Sequence, residues 1–326
     1  MIFNGLETKN NVFVAPIAGV TDHVFRKILK EMGAGLLYTE MVSAKALCFG
    51  DKKTRSLMHI AESEYPCGVQ LFGSDPDIIA KAAKIVRDTT PAAFIDINMG
   101  CPVPKVAGNG EGSALLKNPQ LMGEIMYAAK NAVNLPVTAK IRIGWDSGSI
   151  NAVQCAKILE ENGADMIAVH GRTREQYYSL TADRSVIRDV KNAVKIPVVG
   201  NGDITSPESA ADMFDFTGCD AVMLARGIMG NPWLVKQCVN YFKTGEILPP
   251  PSINEMIDMA VRHTKMLVED FGENRGIKQA RGHLTWYVKG RRGAAALKNE
   301  LTSALSVSEI ETIFDRWKHE LLDSQH

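Results

Sequence analysis

The sequence predicts an α/β fold: a (β/α)8 TIM barrel over residues 1–247, followed by an all-helical domain over residues 248–326. Three observations predict it. Short apolar runs alternate with amphipathic stretches along most of the chain. Those runs are rich in β-branched residues and lack strict apolar–polar alternation, as expected of parallel strands buried on both faces. From Leu248 onward no strand candidate occurs. A doubly wound parallel sheet is the alternative that the same alternation allows.

The strand candidates, in order, are Val12–Ile17, Gly35–Thr39, Gly68–Phe72, Phe94–Asn98, Val137–Ile143, Met166–His170, Val198–Asn201 and Ala221–Ala225. After the third, Ser74-Asp75-Pro76 supplies a cap and an early proline for a helix over Asp77–Val86. After the seventh, Thr205-Ser206-Pro207-Glu208 repeats that logic before Ser209–Phe216. Eight strands with interleaved helices match the count and length of a (β/α)8 barrel. Pro249-Pro250-Pro251 then reads as a stiff linker. The helices Asn254–Glu269 and Ser308–Leu322 beyond it are amphipathic, each with a serine placed to cap or start it.

Composition narrows the function classes. Apolar residues make up 45% and charged residues 23%, and the formal net charge is zero, so no bulk charge drives binding to nucleic acid or membrane. No run approaches the roughly 20 apolar residues of a transmembrane helix, and MIFNGLETKN has no secretory or transit signature. Cys48, Cys67, Cys101, Cys155, Cys219 and Cys238 are scattered with no CxxC pair, so a reducing cytoplasm is expected, with neither disulfides nor a metal site. No GxGxxG follows any strand candidate.

Polar and glycine-rich segments collect where strands end, the catalytic face of such a barrel. These segments are APIAGVTD (Ala15–Asp22), GVQLFGSDP (Gly68–Pro76), DINMGCPVPKV (Asp96–Val106), KIRIGW (Lys140–Trp145), VHGRTREQ (Val169–Gln176), GNGDI (Gly200–Ile204) and LARGIMGNPW (Leu224–Trp233). The opposite ends are ordinary turns such as Asn134-Leu135-Pro136. The loops after the last two strands form the usual phosphate corner, with Gly200-Asn201-Gly202-Asp203 and Arg226-Gly227 offering backbone N–H groups and a cation. Lys140, on a strand that is otherwise apolar, needs an anion to meet it. Between Asn274 and Asn299 lie seven Lys or Arg and no Asp or Glu, although residues 251–326 balance 11 basic against 11 acidic residues. That segment is either a solvated helix face or a patch for nucleic-acid phosphates.

Together with GSALL (Gly112–Leu116), HGRT and KQARGHLTWYVKG (Lys278–Gly290), these motifs resemble the tRNA-dihydrouridine synthases in order and spacing, most closely their B-type bacterial members. The resemblance spans nearly the whole chain. It implies a cytoplasmic flavoenzyme that reduces the C5–C6 double bond of uridine in the tRNA D-loop, with FMN as cofactor, NADPH (or NADH) as reductant and tRNA as partner. No obligate protein partner is implied, and a monomer is expected. By resemblance, Pro16, Ile17 and Ala18 pack the flavin ring, Gln70 bonds its pyrimidine edge and Lys140 sits near N1 and O2. Asn98 orients base and ring, and His170 adds a contact nearby. Asn201, Gly202, Asp203, Ala225 and Arg226 hold the phosphate, with Ala225 standing where the family usually has glycine. Cys101 then donates the proton, because a thiol with a pKa of about 8.5 is mostly protonated at neutral pH. Lys105, Arg172, Arg174, Arg275, Lys278 and Arg281 would meet RNA phosphates, beside Trp286 and Tyr287. The rival readings are a flavin barrel acting on a free pyrimidine and a non-catalytic RNA-binding barrel. The basic helical face speaks against the first, and the intact Cys101, Lys140 and Arg226 against the second.

Overall fold

Every strand of this chain's barrel is buried on both faces, and its period of two decides what each face meets. The computed structural model describes residues 1–323, with side chains through Glu320. Eight parallel strands form one sheet: β1 (Val12–Val14), β2 (Leu37–Ser43), β3 (Cys67–Phe72), β4 (Phe94–Met99), β5 (Val137–Arg142), β6 (Met166–His170), β7 (Val198–Asn201) and β8 (Ala221–Leu224). Bonded neighbours run β1-β8-β7-β6-β5-β4-β3-β2. The ring closes where Gly35 N–H donates to the Val12 carbonyl at 2.8 Å and Val14 N–H to that of Leu36 at 3.1 Å. This order is a closed barrel and excludes the doubly wound sheet.

On β4, Ile95, Ile97 and Met99 join the apolar layer between sheet and helices, so Phe94, Asp96 and Asn98 face the interior. On β5, Val137, Ala139 and Ile141 face outward, leaving Thr138, Lys140 and Arg142 inside. The helices that cover the barrel start as their sequences dictate. Asp75 accepts the Asp77 and Ile78 N–H groups at 2.9 and 3.1 Å, and Pro76 opens the helix Pro76–Thr89. Ser206 caps Pro207–Thr217 in the same way.

Two features depart from expectation. The second strand runs Leu37–Ser43, not Gly35–Thr39, because a bulge between Tyr38 and Met41 carries pairing with β3 through polar residues. Ahead of β1 lies an unexpected hairpin, Ile2–Phe3 paired antiparallel with Leu6–Glu7. Its signal was the Asn4-Gly5 dipeptide, both residues at positive φ (42° and 78°), which is the turn such hairpins favour. Phe3 and Leu6 plug the bottom of the barrel against Phe13, Tyr38 and Phe94, with Phe3 and Phe94 edge to face at 6.0 Å. Each such buried ring or leucine contributes about 1.5–3 kcal/mol. The plug leaves the other end as the only open mouth of the barrel's interior among the described residues.

The helix Trp233–Thr244 stops at Gly245, whose left-handed φ of 76° ends it. Residues 245–252 carry no helix or strand before Ser252 caps Ile253–Phe271, its hydroxyl accepting Glu255 N–H at 3.2 Å. Glu273–Tyr287, Ala294–Ser303 and Val307–Asp323 follow. These four helices share a core around Met256, Leu284, Leu301, Phe314 and Trp317, which Val24 of the barrel helix His23–Glu31 also enters. No helix among the described residues is long and apolar enough to cross a membrane.

Candidate active site

The barrel mouth opens into a cavity of about 630 Å³. Its walls come from the ends of the strands: Pro16, Ile17 and Ala18 after β1, Asn98 and Cys101 at β4, Lys140 on β5, His170 on β6, Asn201, Gly202 and Asp203 at β7, and Ala225 and Arg226 after β8. Every cofactor-site residue expected from the sequence therefore lines one cavity, except Gln70. That side chain is wholly buried below the floor, its amide bonded to Asp96 and Asn98. The structure therefore does not bring Gln70 to the cavity wall, although each bond uses only one of its two N–H donors and one of the two lone pairs on its oxygen.

The charge of the mouth is lopsided. Lys140, Arg142, Arg226 and Lys289 face the cavity against one carboxylate, Asp203. Burial pushes the Lys140 ammonium down to about 8, with Arg142 adding to the effect. Its Nζ donates to Asn201 Oδ1 at 3.1 Å, and Asn201 is fixed in turn by its Nδ2 bond to the Met223 carbonyl at 2.8 Å. Burial, then repulsion from Lys140 and three arginines, drives His170 well below its usual range, so it is neutral at pH 7. Arg172 lies 3.4 Å from His170 Nε2 and can only donate, which assigns the ring proton to Nδ1.

At the phosphate corner Gly202 has φ of 130°, and a Cβ there would stand 2.7 Å from that of Ala182, so only glycine fits. Ala225 has φ of −131°, a value that needs no glycine. Burial works to raise Asp203, but hydrogen bonds from Arg172 and the Ala182 N–H outweigh it and hold the carboxylate below its usual range. Arg226, exposed at the rim, touches Asp203 at 3.3 Å and stacks 4.7 Å from the Tyr178 ring.

Cys101 is held by its backbone. Its N–H donates to Asn98 Oδ1 at 2.9 Å and its carbonyl accepts from Ser113 at 3.1 Å. Gly112 makes the close approach possible, because a Cβ there would lie 3.0 Å from the Cys101 carbonyl oxygen. Burial raises the thiol above its ordinary value, more than the Val103 N–H, Arg142 and Lys140 lower it. The group is a protonated thiol at neutral pH, suited to giving a proton.

Four charged or aromatic wall residues were not expected at this cavity. Arg142 donates to the carbonyls of Gly100 (3.0 Å), Thr173 and Tyr177 (both 2.8 Å), clipping the Cys101 loop to the loop after β6. Its signal was available, since it follows Lys140 by two and shares the inward face. Tyr178 on that second loop, and Trp286 and Lys289 from the helical domain, also line the cavity. Neither spacing nor composition placed them there.

The expected phosphate contacts divide. Lys105, Arg275 and Lys278 are exposed. Arg172 is 2% exposed, paired with Asp203 at 2.8 Å and bonded to the Ser179 and Leu180 carbonyls, so it braces a loop and is closed to phosphates. Arg281 donates twice to the Ala304 carbonyl, at 3.0 and 2.6 Å, which ties down the end of a helix. Arg174 lies partly buried over the Trp145 ring at 4.5 Å, with Lys117 at 3.5 Å from the same ring. Tyr287 is buried, its hydroxyl 3.2 Å from His263 Nδ1, whereas Trp286 is half-buried at the mouth.

The helical domain reaches the mouth through two close contacts. Gly230 packs on the backbone of Trp286, where a Cβ would come within 2.2 Å of its carbonyl carbon. Asp22 caps the helix His23–Glu31 with one oxygen and accepts Gln279 and His283 with the other, both at 3.0 Å. Burial opposes its charge, but the His283 bond prevails and holds Asp22 down at about 2. His263 lies beside this pair, and ligand atoms of all three sit within 4.8 Å of one another.

A closed barrel with a plugged floor, a cationic mouth and a tethered thiol at its strand ends defines an enzyme of the (β/α)8 class. The dihydrouridine synthase (Dus) family model matches residues 13–321. The chain belongs to this family of oxidoreductases. It is 42% identical over 309 residues to a probable tRNA-dihydrouridine synthase of Rickettsia conorii, covering 93% of both proteins. It is 43% identical over 283 residues to the tRNA-dihydrouridine synthase B of Proteus vulgaris, covering 87% of each. Among solved structures, an old yellow enzyme homologue from Zymomonas mobilis superposes with a TM-score of 0.57 at 13% identity, over 78% of this chain and 94% of that one. Histamine dehydrogenase from a Rhizobium species gives 0.60 at 15%, over 87% and 50%. At such identities the two likenesses speak for the fold alone.

Proposed function

We propose that this chain reduces uridine in the D-loop of tRNA to 5,6-dihydrouridine, using FMN and NADPH, with residues 1–247 as the catalytic unit and 248–326 as the tRNA-binding unit. One observation carries the reading: thiol, lysine, phosphate corner and two helical-domain side chains converge on a single cavity. The residues fit a flavin mononucleotide. Gly202 and Arg226 suit its phosphate, Lys140 its electron-accepting edge, and Pro16, Ile17 and Ala18 a flat ring. Once bound there, the flavin would supply the hydride transfer from NADPH to uridine C6.

The chain's own residues do the rest. Lys140 as an ammonium offsets negative charge at the cofactor, and Asn201 keeps it aimed there. Neutral His170 adds no charge to an already cationic mouth. Cys101 gives its proton to C5 as hydride reaches C6, and the thiolate regains a proton from solvent, so the sum is uridine, NADPH and a proton going to dihydrouridine and NADP⁺. Trp286 and Lys289 at the rim favour a macromolecular substrate over a free pyrimidine. The target base must leave its stack to enter, which loop bases do at least cost.

The test is mass mapping of dihydrouridine in tRNA from a deletion strain, complemented by wild type or by Cys101→Ala. Deletion should remove the base from one or a few D-loop sites, and Cys101→Ala should fail to restore it. Unchanged dihydrouridine in the deletion strain overturns the activity, and full restoration by the variant overturns the thiol as donor.

A further inference from the structure

Beneath the cavity floor, the barrel interior holds a row of polar side chains, of which Asp96 and Thr138 have no part in the proposed chemistry. Gln70 on β3, Asp96 on β4 and Thr138 on β5 are register partners across the sheet, and all three are 0% exposed. Asp96 Oδ1 accepts Thr138 Oγ1 at 2.5 Å, and Oδ2 accepts Gln70 Nε2 at 2.6 Å. Gln70 Oε1 accepts Asn98 Nδ2 at 2.8 Å. Asn98 Oδ1 then accepts the N–H groups of Gly100 and Cys101, at 3.2 and 2.9 Å.

Each link in this chain has a direction. A carboxylate only accepts, so Gln70 must turn its NH2 toward Asp96 and its oxygen toward Asn98. That obliges Asn98 to turn its NH2 toward Gln70 and its oxygen toward the loop. Reversing Gln70 would set its NH2 against that of Asn98, and reversing Asn98 would aim an NH2 at the Gly100 and Cys101 N–H groups, donor against donor in either case. Burial pushes the Asp96 carboxyl up to about 6, which still leaves it mostly ionised, and acceptor-only, at neutral pH. An apolar side chain would fill this layer without the desolvation a carboxylate suffers, but it would give the relay no direction.

We propose that Asp96 is the positioning residue of the proton-donor loop: through Gln70 and Asn98 it fixes the one amide orientation that holds the Cys101 backbone at the cavity wall. The inference rests on the reading of Cys101 as proton donor. Asp96 touches neither cavity nor substrate and acts only through this relay.

The test uses D96N, Q70E and the double variant D96N/Q70E. In D96N the new amide presents either an oxygen or an NH2 to Gln70, so the relay loses its direction. In the double variant the carboxylate introduced on β3 accepts from Asn98 and from the new β4 amide, and every bond regains a partner with the original polarity toward the loop. Two rates are read: iodoacetamide alkylation of Cys101, localised by peptide mass spectrometry, and reoxidation of the NADPH-reduced holoenzyme by tRNA. D96N should speed alkylation by about threefold or more as the loop loosens. It should slow reoxidation about tenfold or more while NADPH-driven reduction changes less than about threefold. Adding Q70E should return alkylation to the wild-type rate. Wild-type alkylation in D96N, or a double variant as perturbed as D96N, overturns the proposal. If D96N does not fold, Q70E, which sets two carboxylates face to face, carries the same test, and adding D96N must rescue it. If the flavin chemistry itself is misread, the reoxidation arm is silent while alkylation still separates the variants.

Discussion

At the scale of single residues, burial displaces two groups of the site, with opposite consequences for their roles. Burial raises the Cys101 thiol, which keeps its proton, and lowers the Lys140 ammonium to about 8, which puts that group's titration within reach of experiment. If FMN binding needs the ammonium, proton linkage sets the sign. Affinity is flat below pH 8, and above it binding must take up a proton, so Kd rises by about tenfold per pH unit. Titration of FMN fluorescence from pH 6.5 to 9.5 reads this, and Lys140→Met should bind weakly at every pH with no bend near 8. A wild-type profile without a bend removes Lys140 from the cofactor site. Residue identities were legible from sequence wherever a motif fixed them at a strand end. Their engagements were not. Gln70, Arg172 and Arg281 are ordinary letters in their motifs, yet each donates to a partner 26, 31 and 23 positions away respectively.

At the scale of elements, the parallel strands could be read because burial on both faces leaves apolar runs that helices do not share. The bulged second strand could not, since Thr39, Glu40 and Ser43 look like loop residues until pairing with β3 is known. The bulge also has a use: Glu40 accepts the Gly19 N–H and so anchors the loop that forms one wall of the cavity. The loop after β8 has a comparable constraint at Gly230, which combines a φ of 67° with the Trp286 backbone against its α-carbon. Gly230→Ala must strain the turn and push the helical domain away. The expected cost is about 2 kcal/mol or more of stability, seen as a lower Tm, with dihydrouridine formation falling further than FMN affinity. A variant with the wild-type Tm shows that the contact is not constraining.

At the scale of the whole molecule, the division near residue 247 in the sequence does not divide the cavity. Helices beyond it place Trp286 and Lys289 in the barrel mouth, and Asp22 of the barrel locks onto Gln279 and His283. A zero net charge hid this arrangement, because the domain segregates its cations without being basic overall. Exposure then sorts those cations into two kinds. Arg275 and Lys278 are free to meet phosphates, so Arg275→Ala and Lys278→Ala should each weaken tRNA binding and reduce the slope of log Kd against log salt by about 1. Arg281 lies on the same helix, but its guanidinium is bound to the Ala304 carbonyl. Arg281→Ala should lower Tm and leave the salt slope at its wild-type value. Filter binding of tRNA across a salt series, beside thermal unfolding, separates the two outcomes. Equal slopes for all three variants and wild type would mean that this face does not carry the RNA, and the polarity of the domain would need another cause.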